Sequence, residues 1–323
     1  MPSSQILSVY IGVVAVIIFA GTFPATKLAL EIYSPLHITC LRASCASLFA
    51  ITFLICLSPF NRIAKSNWQH IFYFSLNRNE MIELFSIGLL LVFGFPGAVA
   101  FALAEVSSSY SAVFLAMLPL CLSAAAVIFT KERSPILFWI CSFITALLVT
   151  IFMSKTYLDE GILSVGNYKN FLLGNFWLLM ACIFASVGYT KSASFNKRMS
   201  GFKVISWGLC LTSPISFLLA WVLWPNNLTI LDATYYSNSF WGVLYLGIFS
   251  MFIGNCLWSI ALSLGGIAKI GQLQFLQPFI TLLISYHIIG ETISNEMIIF
   301  ALSVTLAVII GQQQRSPVKQ KRY

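Results

Sequence analysis

Residues 107–132 read SSSYSAVFLAMLPLCLSAAAVIFTKE, and residues 266–291 read GIAKIGQLQFLQPFITLLISYHIIGE. A shift of 159 positions superimposes the two stretches and matches these residues: Pro119 with Pro278, Glu132 with Glu291, and, just outside the first stretch, Ala102-Leu103 with Ala261-Leu262. Each stretch therefore has a proline that is followed 13 residues later by a glutamate. Self-similarity at a fixed spacing indicates an internal repeat. We expect the chain to contain two copies of one structural unit.

The composition is that of an integral membrane protein. Of the 323 residues, 59% are hydrophobic and 9% are charged, with 18 Lys and Arg against 10 Asp and Glu. A soluble domain carries about 25% charged residues, so this chain lacks the charges to cover a water-facing surface. The net charge of +8 arises from residues in short loops between long apolar runs. This distribution excludes nucleic acid as the partner and predicts a lipid bilayer instead.

The apolar runs have the length of transmembrane helices. A bilayer core about 30 Å thick needs about 20 apolar residues per helix. This length divides the chain into ten candidate helices, at residues 6–30, 36–57, 82–104, 107–129, 135–154, 171–190, 202–224, 240–263, 267–289 and 295–311. Residues 1–155 then form a first five-helix repeat, residues 171–311 form a second, and residues 312–323 form a basic tail.

The odd number of helices in each repeat determines how the two repeats are related. Because five spans leave the chain on the opposite side of the membrane, the second repeat must enter upside down relative to the first. The predicted fold class is therefore an all-α integral membrane protein with ten transmembrane helices in two inverted five-helix repeats. Secondary transporters commonly have this architecture, because two related halves can rock around a central site.

Positive residues predict the orientation of the chain. Lys and Arg in short loops tend to remain in the cytoplasm. With ten spans, fourteen Lys and Arg residues fall on the side of the two termini, against two to four on the opposite side. We expect a multi-pass protein of the plasma (inner) membrane with both termini, and hence the basic tail, in the cytoplasm.

The paired prolines and glutamates are candidate helix-break and hinge residues. At 1.5 Å per residue, Pro119 lies about 20 Å from Glu132, near mid-membrane when the glutamate is at the surface. Pro278 and Glu291 repeat this arrangement from the other face. Matching helix breaks in two halves point to a midplane binding site, and the alternative is that both prolines are packing kinks. We interpret the two glutamates as capping or hinge-locking residues, with proton carriage as the alternative.

The motifs of both halves resemble those of the drug/metabolite transporter superfamily, specifically its EamA-type exporters. Residues 21–27 (GTFPATK), with Pro35 and Arg42, are similar to the family's opening pattern of Gly, Lys, Pro and Arg. Residues 107–132 and 265–291 are similar to its paired fourth-helix motifs. The resemblance implies a ten-helix bundle around a central cavity, with the fifth and tenth helices at the periphery. It also implies export of amino acids, other metabolites or drugs from the cell.

Two glutamines are the leading candidates for the substrate cavity. The repeat aligns Leu115 and Leu118 of the first half with Gln274 and Gln277 of the second half. The glutamines are three residues apart and hence lie on one helix face. Polar side chains in the middle of a membrane helix generally face the protein interior or a wet cavity. We expect both amides to bind polar groups of the substrate, and the alternative is that they join neighbouring helices.

Four further residues are weaker cavity candidates: Asn255, Trp258, Tyr189 and Tyr110. Asn255 and Trp258 are three residues apart in the eighth predicted helix, where they combine an amide with an aromatic surface. This pair would suit an amphiphilic substrate. Packing within the bundle is the alternative for all four residues.

Two basic residues lie within the first predicted helix pair. Arg42 is six residues into the second helix, about 9 Å below the surface, where an unpaired charge would cost several kcal/mol. We therefore expect an acidic partner, with Glu31 and Glu105 as candidates. Arg42 either holds an anionic substrate or pins helices together, and the sequence leaves both interpretations open. Lys27 is near the end of the first helix and is expected to extend towards the membrane surface.

Absent motifs narrow the function class. The sequence has no HExxH, GxSxG or Walker A motif, so neither an enzyme nor an ATP-driven pump is expected. No catalytic residue or cofactor is predicted. No metal site is predicted either, because the 8 cysteines lie in apolar runs without metal-ligand spacing. The sequence predicts a secondary transporter that exports amino acids or related small metabolites by alternating access, with a homodimer as a possible assembly. A drug or toxic-compound efflux carrier is the alternative, followed by a carrier of phosphorylated metabolites.

Overall fold

The computed structural model describes residues 3–60, 77–130, 136–159, 165–195, 199–224, 237–265, 270 and 272–313. Every regular element in these ranges is helical. Glu132 and the basic tail beyond Gln313 lie outside the described residues.

The described residues form ten helical segments, named α1 to α10, and some of these consist of consecutive pieces. The segments are α1 (Ser3–Ala20 and Thr22–Ala29), α2 (Pro35–Phe60), α3 (Arg78–Gly88, Leu89–Gly94 and Phe95–Glu105), α4 (Ser108–Leu115 and Leu118–Thr130), α5 (Ile136–Asp159), α6 (Val165–Phe195), α7 (Gly201–Val222), α8 (Ser237–Leu244, Tyr245–Gly254 and Asn255–Gly265), α9 (Gln272–Leu276 and Gln277–Ile289) and α10 (Asn295–Gln313). The middle pieces of α3 and α8 are π-helical, and the first piece of α9 is a 3-10 helix.

Seven helices in the described ranges are long and apolar enough to cross a membrane. They cover Ile6–Ala29, Pro35–Ile55, Arg78–Glu105, Trp139–Thr156, Tyr168–Ser192, Gly201–Val222 and Asn238–Leu262. Three shorter apolar helices, in α4, α9 and α10, cover Ser108–Leu122, Leu273–Ile289 and Asn295–Ile310. The membrane fold is thus confirmed by seven spans, while the crossing of the other three helices stays a prediction.

Large apolar side chains lie on the outside of the helix bundle. Trp221 is 84% exposed, Phe143 is 72% exposed and Tyr10 is 68% exposed. Soluble proteins rarely expose contiguous apolar surface on this scale, whereas a membrane protein places such side chains against lipid. Polar groups must then be paired inside the bundle, because the hydrocarbon offers them no hydrogen bonds.

The two halves of the chain pack against each other reciprocally. Helix α3 packs against α6 and α7, and α8 packs against α1 and α2. In the first crossing Gly88 of α3 lies on Gly208 of α7, and in the second Gly247 of α8 lies on Cys45 of α2. Gly88 and Gly247 are 159 positions apart, which is the spacing of the sequence repeat. The third helix of each half therefore packs against the first two helices of the other half.

The π-helical pieces of α3 and α8 each end at a glycine. A Cβ atom on Gly94 would lie 3.0 Å from Cγ of Phe184 in α6, and a Cβ atom on Gly254 would lie 2.8 Å from Cε1 of Phe19 in α1. In each half a glycine thus allows an aromatic ring from the other half to approach the backbone. Because π-bulges frequently occur at functional sites, these two positions indicate that the interior between the halves is the candidate functional site.

Gly88→Ala tests the crossing of α3 with α7. A Cβ atom at position 88 would lie 2.7 Å from the backbone oxygen of Gly208, and backbone cannot move aside as a flexible side chain can. We expect this overpacking to cost about 1–3 kcal/mol and to lower the thermal unfolding midpoint of the purified protein in detergent. Gly97→Ala in the same helix is the matched control, since its Cβ would lie 3.5 Å from Oγ1 of Thr39, an ordinary contact. Equal midpoints for both variants would contradict this packing.

Candidate functional site

The break in α1 is stabilised by side chains from the second half of the chain. Pro24 has no N–H, so the carbonyl of Ala20, four residues earlier, lacks its helical donor. The hydroxyl of Thr281 in α9 donates to this carbonyl at 3.0 Å. The hydroxyl of Tyr245 in α8 donates to the carbonyl of Ile18 at 2.7 Å. Helix α9 therefore pairs the carbonyl that Pro24 leaves without a helical donor, and α8 adds a second hydrogen bond to α1 beside the break.

Three polar side chains meet in the interior between α1, α2 and α8. Thr22 directly follows the break in α1, Arg42 lies in α2, and Ser250 lies in the π-helical piece of α8. The hydroxyl oxygens of Thr22 and Ser250 are 2.8 Å apart. Nη2 of Arg42 donates a long hydrogen bond of 3.5 Å to the Ser250 hydroxyl, and Arg42 is only 6% exposed. We call these three residues the Arg42 cluster.

The prediction of an acidic partner for Arg42 is wrong. Among the described residues, neither Glu31 nor Glu105 reaches salt-bridge distance from its guanidinium. Glu31 is exposed between α1 and α2, and Glu105 at the end of α3 interacts electrostatically with Lys27 instead. The phenol of Tyr189 lies within electrostatic range of the guanidinium. Within the described residues, Nε of Arg42 has no hydrogen-bond partner.

Lys27 caps the end of a neighbouring helix. Its Nζ donates to the carbonyls of Leu103 and Val106 at 2.8 and 3.1 Å, where α3 ends. The last carbonyls of a helix lack partners within the helix, and a cation is favourable next to them. This ammonium group is therefore committed to holding α1 against α3.

The Glu291 carboxylate caps the start of α4 and links the two halves. It accepts hydrogen bonds from the backbone N–H groups of Ser108 and Ser109, both at 2.8 Å, and from the Ser109 hydroxyl at 2.6 Å. Next to it, the hydroxyl oxygens of Ser108 and Ser285 are 2.7 Å apart. Gly290 ends α9 with a φ of +75°, which glycine adopts without strain. This turn brings the carboxylate to N–H groups that have no partner within α4.

Pro119 and Pro278 lie in the first turn of a helix in each half. The second piece of α4 begins at Leu118, and the α-helical piece of α9 begins at Gln277. Each proline is thus the second residue of its helical piece, where the missing N–H would have no helical partner anyway. Leu118 and Gln277 are 159 positions apart, the spacing of the repeat. Both halves are therefore interrupted at equivalent positions.

Gln274 and Gln277 lie on the two sides of this interruption in α9. Both side chains are partly buried, and within the described part of the chain neither amide forms a hydrogen bond. Phe275, between them, is buried in the main hydrophobic core. Leu273 lies against Gly12 of α1. The local packing of α9 thus rests on its apolar neighbours, not on the two amides.

Asn255 and Trp258 belong to the contact between α1 and α8. The Asn255 amide donates to the carbonyl of Met251 at 2.8 Å, at the end of the π-helical piece. Trp258 packs edge-on against Phe19, with ring centroids 6.3 Å apart, and Phe19 also covers Gly254. Both residues therefore have structural contacts in the described protein.

The two candidate tyrosines occupy different surroundings. Tyr110 is 1% exposed, and its hydroxyl donates to Oδ1 of Asn175 at 2.6 Å. Its ring stacks on Phe152 with centroids 5.1 Å apart, within the core between α4, α5 and α6. Tyr189, by contrast, interacts electrostatically with Arg42. The structure therefore brings Tyr189, and not Tyr110, to the Arg42 cluster.

Sequence reasoning missed four residues that organise the interior: Thr22, Ser250, Tyr245 and Thr281. Each carries a hydroxyl within an apolar run, and this was the available signal, since polar groups in membrane helices generally face the protein interior. Their partners could not be read from spacing, because Thr22 and Ser250 are 228 positions apart.

Comparisons with known proteins agree with the described architecture. The EamA-like transporter family matches residues 6–154 and 172–310. A curated protein of Bacillus subtilis (strain 168), the uncharacterized transporter YdeK, is 30% identical over 302 residues, which cover 94% of this chain and 96% of that protein. A solved structure described only as a crystal structure of a protein has the same fold, with a TM-score of 0.60 at 15% identity, over 97% of this chain and all of its own.

The apolar exterior, the interrupted helices and the family match define an integral multi-pass membrane transporter, not an enzyme. The chain belongs to the EamA-like transporter family. This assignment confirms the resemblance that the motifs of the two halves indicated.

A double-mutant cycle tests the bond that joins α9 to the break in α1. Thr281→Val leaves the buried carbonyl of Ala20 unpaired, which we expect to cost about 1–3 kcal/mol. Because Pro24→Ala supplies the missing N–H, Thr281→Val should lower the thermal unfolding midpoint less in the Pro24→Ala protein than in the wild type. Thr52→Val is the control, since this exposed hydroxyl donates to its own helix. Equal losses in the two backgrounds would show that the bond does not depend on the proline.

Proposed function

We propose that this transporter exports amino acids or related small metabolites by alternating access. In this proposal residues 1–155 and residues 171–311 are inverted repeats of five membrane-spanning helices each. Both termini, with the tail of residues 312–323, lie in the cytoplasm, and the protein lies in the plasma (inner) membrane. The observation that supports the proposal most is the equivalent interruption of α4 and α9, whose helical pieces resume at Leu118 and Gln277.

The helix contacts supply two bundles that could move against each other. Helix α1 packs with α8 and α9, and its counterpart α6 packs with α3 and α4. Each bundle therefore contains helices from both halves of the sequence, in equivalent roles. Rocking of two related bundles would expose a site between them first to one side and then to the other.

In this proposal the paired glutamates lock the two bundles together at their ends, and the paired prolines are hinges. Glu291 joins α9 of one bundle to α4 of the other, so we infer that this contact closes one end of the transporter. We expect Glu132 to act in the same way at the opposite end. Pro119 and Pro278, beside the two interruptions, would be the hinges.

The glutamines favour a polar substrate. Gln274 and Gln277 present amides beside a helix interruption, and no described residue satisfies these amides. A polar metabolite would pair with them, whereas an apolar drug would leave them desolvated and unpaired, which is costly. We infer that these two residues line the cavity together with Tyr189 and the Arg42 cluster. Asn255 and Trp258 would contribute to the wall that α8 forms.

Counterflow in proteoliposomes tests this function, because exchange needs no assumed coupling ion. Vesicles would be preloaded with unlabelled pools of amino acids or metabolites, and the uptake of trace labelled compounds would be followed. We expect the wild type to exchange amino acids. Gln277→Leu, which places the first-half residue in the second half, should reduce exchange at least about tenfold through the loss of hydrogen bonds to substrate.

Tyr286→Phe is the matched control for Gln277→Leu. It removes a polar group from the same helix at a side chain that is 55% exposed, and we expect it to exchange at the wild-type rate. Wild-type exchange by both Gln274→Leu and Gln277→Leu would overturn the site assignment. Exchange of hydrophobic drugs but of no amino acid or other metabolite would overturn the substrate class.

A further inference from the structure

The Arg42 guanidinium is a buried charge within a membrane-spanning helix. It lies seven residues after the start of α2 at Pro35, about 10 Å along the helix axis, and the side chain is 6% exposed. Charged groups at such positions are expensive, and they normally pair with an opposite charge or mark the path of a substrate. Arg42 is therefore expected to have either an acidic partner in the chain or a substrate group as its partner.

The described residues do not neutralise it. The structure describes six acidic side chains, none of which reaches salt-bridge distance from Arg42: Glu31, Glu80, Glu83, Glu105, Glu291 and Glu296. Glu291 is bonded to the start of α4, and Glu296 forms an ion pair with Lys155. The closest polar neighbours of Arg42 are hydroxyl groups, which carry no charge. The cluster therefore has a net positive charge that is buried among the helices.

The guanidinium has an edge that could pair with a carboxylate. Nε has no partner among the described residues, and Nη2 makes only a 3.5 Å contact with the Ser250 hydroxyl. The N–H groups of Nε and Nη2 are parallel and match the two oxygens of a carboxylate. The hydroxyls of Ser250 and Thr22, 2.8 Å apart, stand next to this edge. One of them can turn its hydrogen towards a bound anion while it accepts from the other.

We propose that the Arg42 cluster binds the carboxylate group of the transported metabolite. This inference rests on the proposed function and names the chemical class of its substrate, a monocarboxylate. The guanidinium edge would hold the two carboxylate oxygens, and Ser250 or Thr22 would donate a third hydrogen bond. The carboxylate supplies the negative charge that no described residue brings to Arg42.

The charge balance favours a monocarboxylate over the other substrate classes. A phosphate monoester carries nearly two negative charges, and Lys27, the other basic residue of the first helix pair, is occupied by the carbonyls at the end of α3. A cationic drug would face the uncompensated guanidinium and be repelled. One guanidinium matches one carboxylate, whether this belongs to an amino acid or to an organic acid without an amino group.

The test compares acids with the corresponding amides, which lack the carboxylate charge, in the counterflow assay. Labelled pools of amino acids, of the corresponding amino-acid amides, of short monocarboxylates and of sugar phosphates would be offered to the same proteoliposomes. We expect carboxylates to exchange at least about tenfold faster than the matched amides, which lack the charge for the bidentate pair. Amino acids and short monocarboxylates are tested separately. The comparison shows whether the protein accepts carboxylates with an amino group, without one, or both.

Three variants separate substrate binding from a structural role of Arg42. Arg42→Gln should reduce the exchange of carboxylates at least about tenfold and abolish their advantage over amides. Arg42→Lys keeps the charge but not the parallel donors, so it should raise KM more than it lowers kcat. Arg78→Gln, at an exposed position at the start of α3, is the control and should exchange as the wild type does.

The stability of Arg42→Gln provides a second, independent readout. Removing a buried charge that no described residue neutralises should leave the thermal unfolding midpoint unchanged or raise it. A midpoint several degrees lower would show that Arg42 pins helices and would overturn the proposal. So would equal exchange of acids and amides by the wild type, or carboxylate exchange by Arg42→Gln at the wild-type rate. These outcomes leave the exporter function intact, whereas a wild type that exchanges no metabolite would contradict the function itself.

Discussion

A backbone carbonyl inside a lipid bilayer must find its hydrogen-bond donor within the protein, because the hydrocarbon has no water to replace it. The carbonyl left unpaired by the break in α1 would therefore raise the free energy of the folded protein unless another part of the fold supplies a donor. Thr281 supplies this donor to the carbonyl of Ala20, and Tyr245 donates to the nearby carbonyl of Ile18. Since both donors belong to the second half of the chain, the break also attaches the first half to the second.

The same constraint acts on the polar side chains inside the bundle. Many described polar side chains in the helices bond to a carbonyl of their own or a neighbouring helix, as Asn255 and Lys27 do. Arg42 differs, because its charge is buried beside hydroxyl groups and not beside a carboxylate. A transporter has a physical reason to keep one such group, since a charge without a counter-charge among the described residues can be balanced by the molecule that the protein carries.

The sequence predicts more of the fold than of the site. Apolar runs of about 20 residues identify membrane helices, and Pro119 and Pro278 mark equivalent points because a repeat preserves spacing. The π-helical pieces before Gly94 and Gly254 have no such signal, since no residue type requires their bonding pattern. The acidic partner expected for Arg42 was wrong because distances across a bundle depend on how helices pack. For the same reason the contacts of Thr22 with Ser250 appear only in the structure.

Cross-linking the two bundles tests alternating access most directly. Cysteines at positions 108 and 285, introduced as Ser108→Cys and Ser285→Cys after alanine replacement of the native cysteines, would join α4 to α9 where the hydroxyl oxygens are 2.7 Å apart. If the bundles must separate at this end, oxidation stops counterflow and a reductant restores it, while each single-cysteine protein exchanges normally throughout. A fully cross-linked protein that exchanges substrate at the wild-type rate would contradict movement of one bundle against the other.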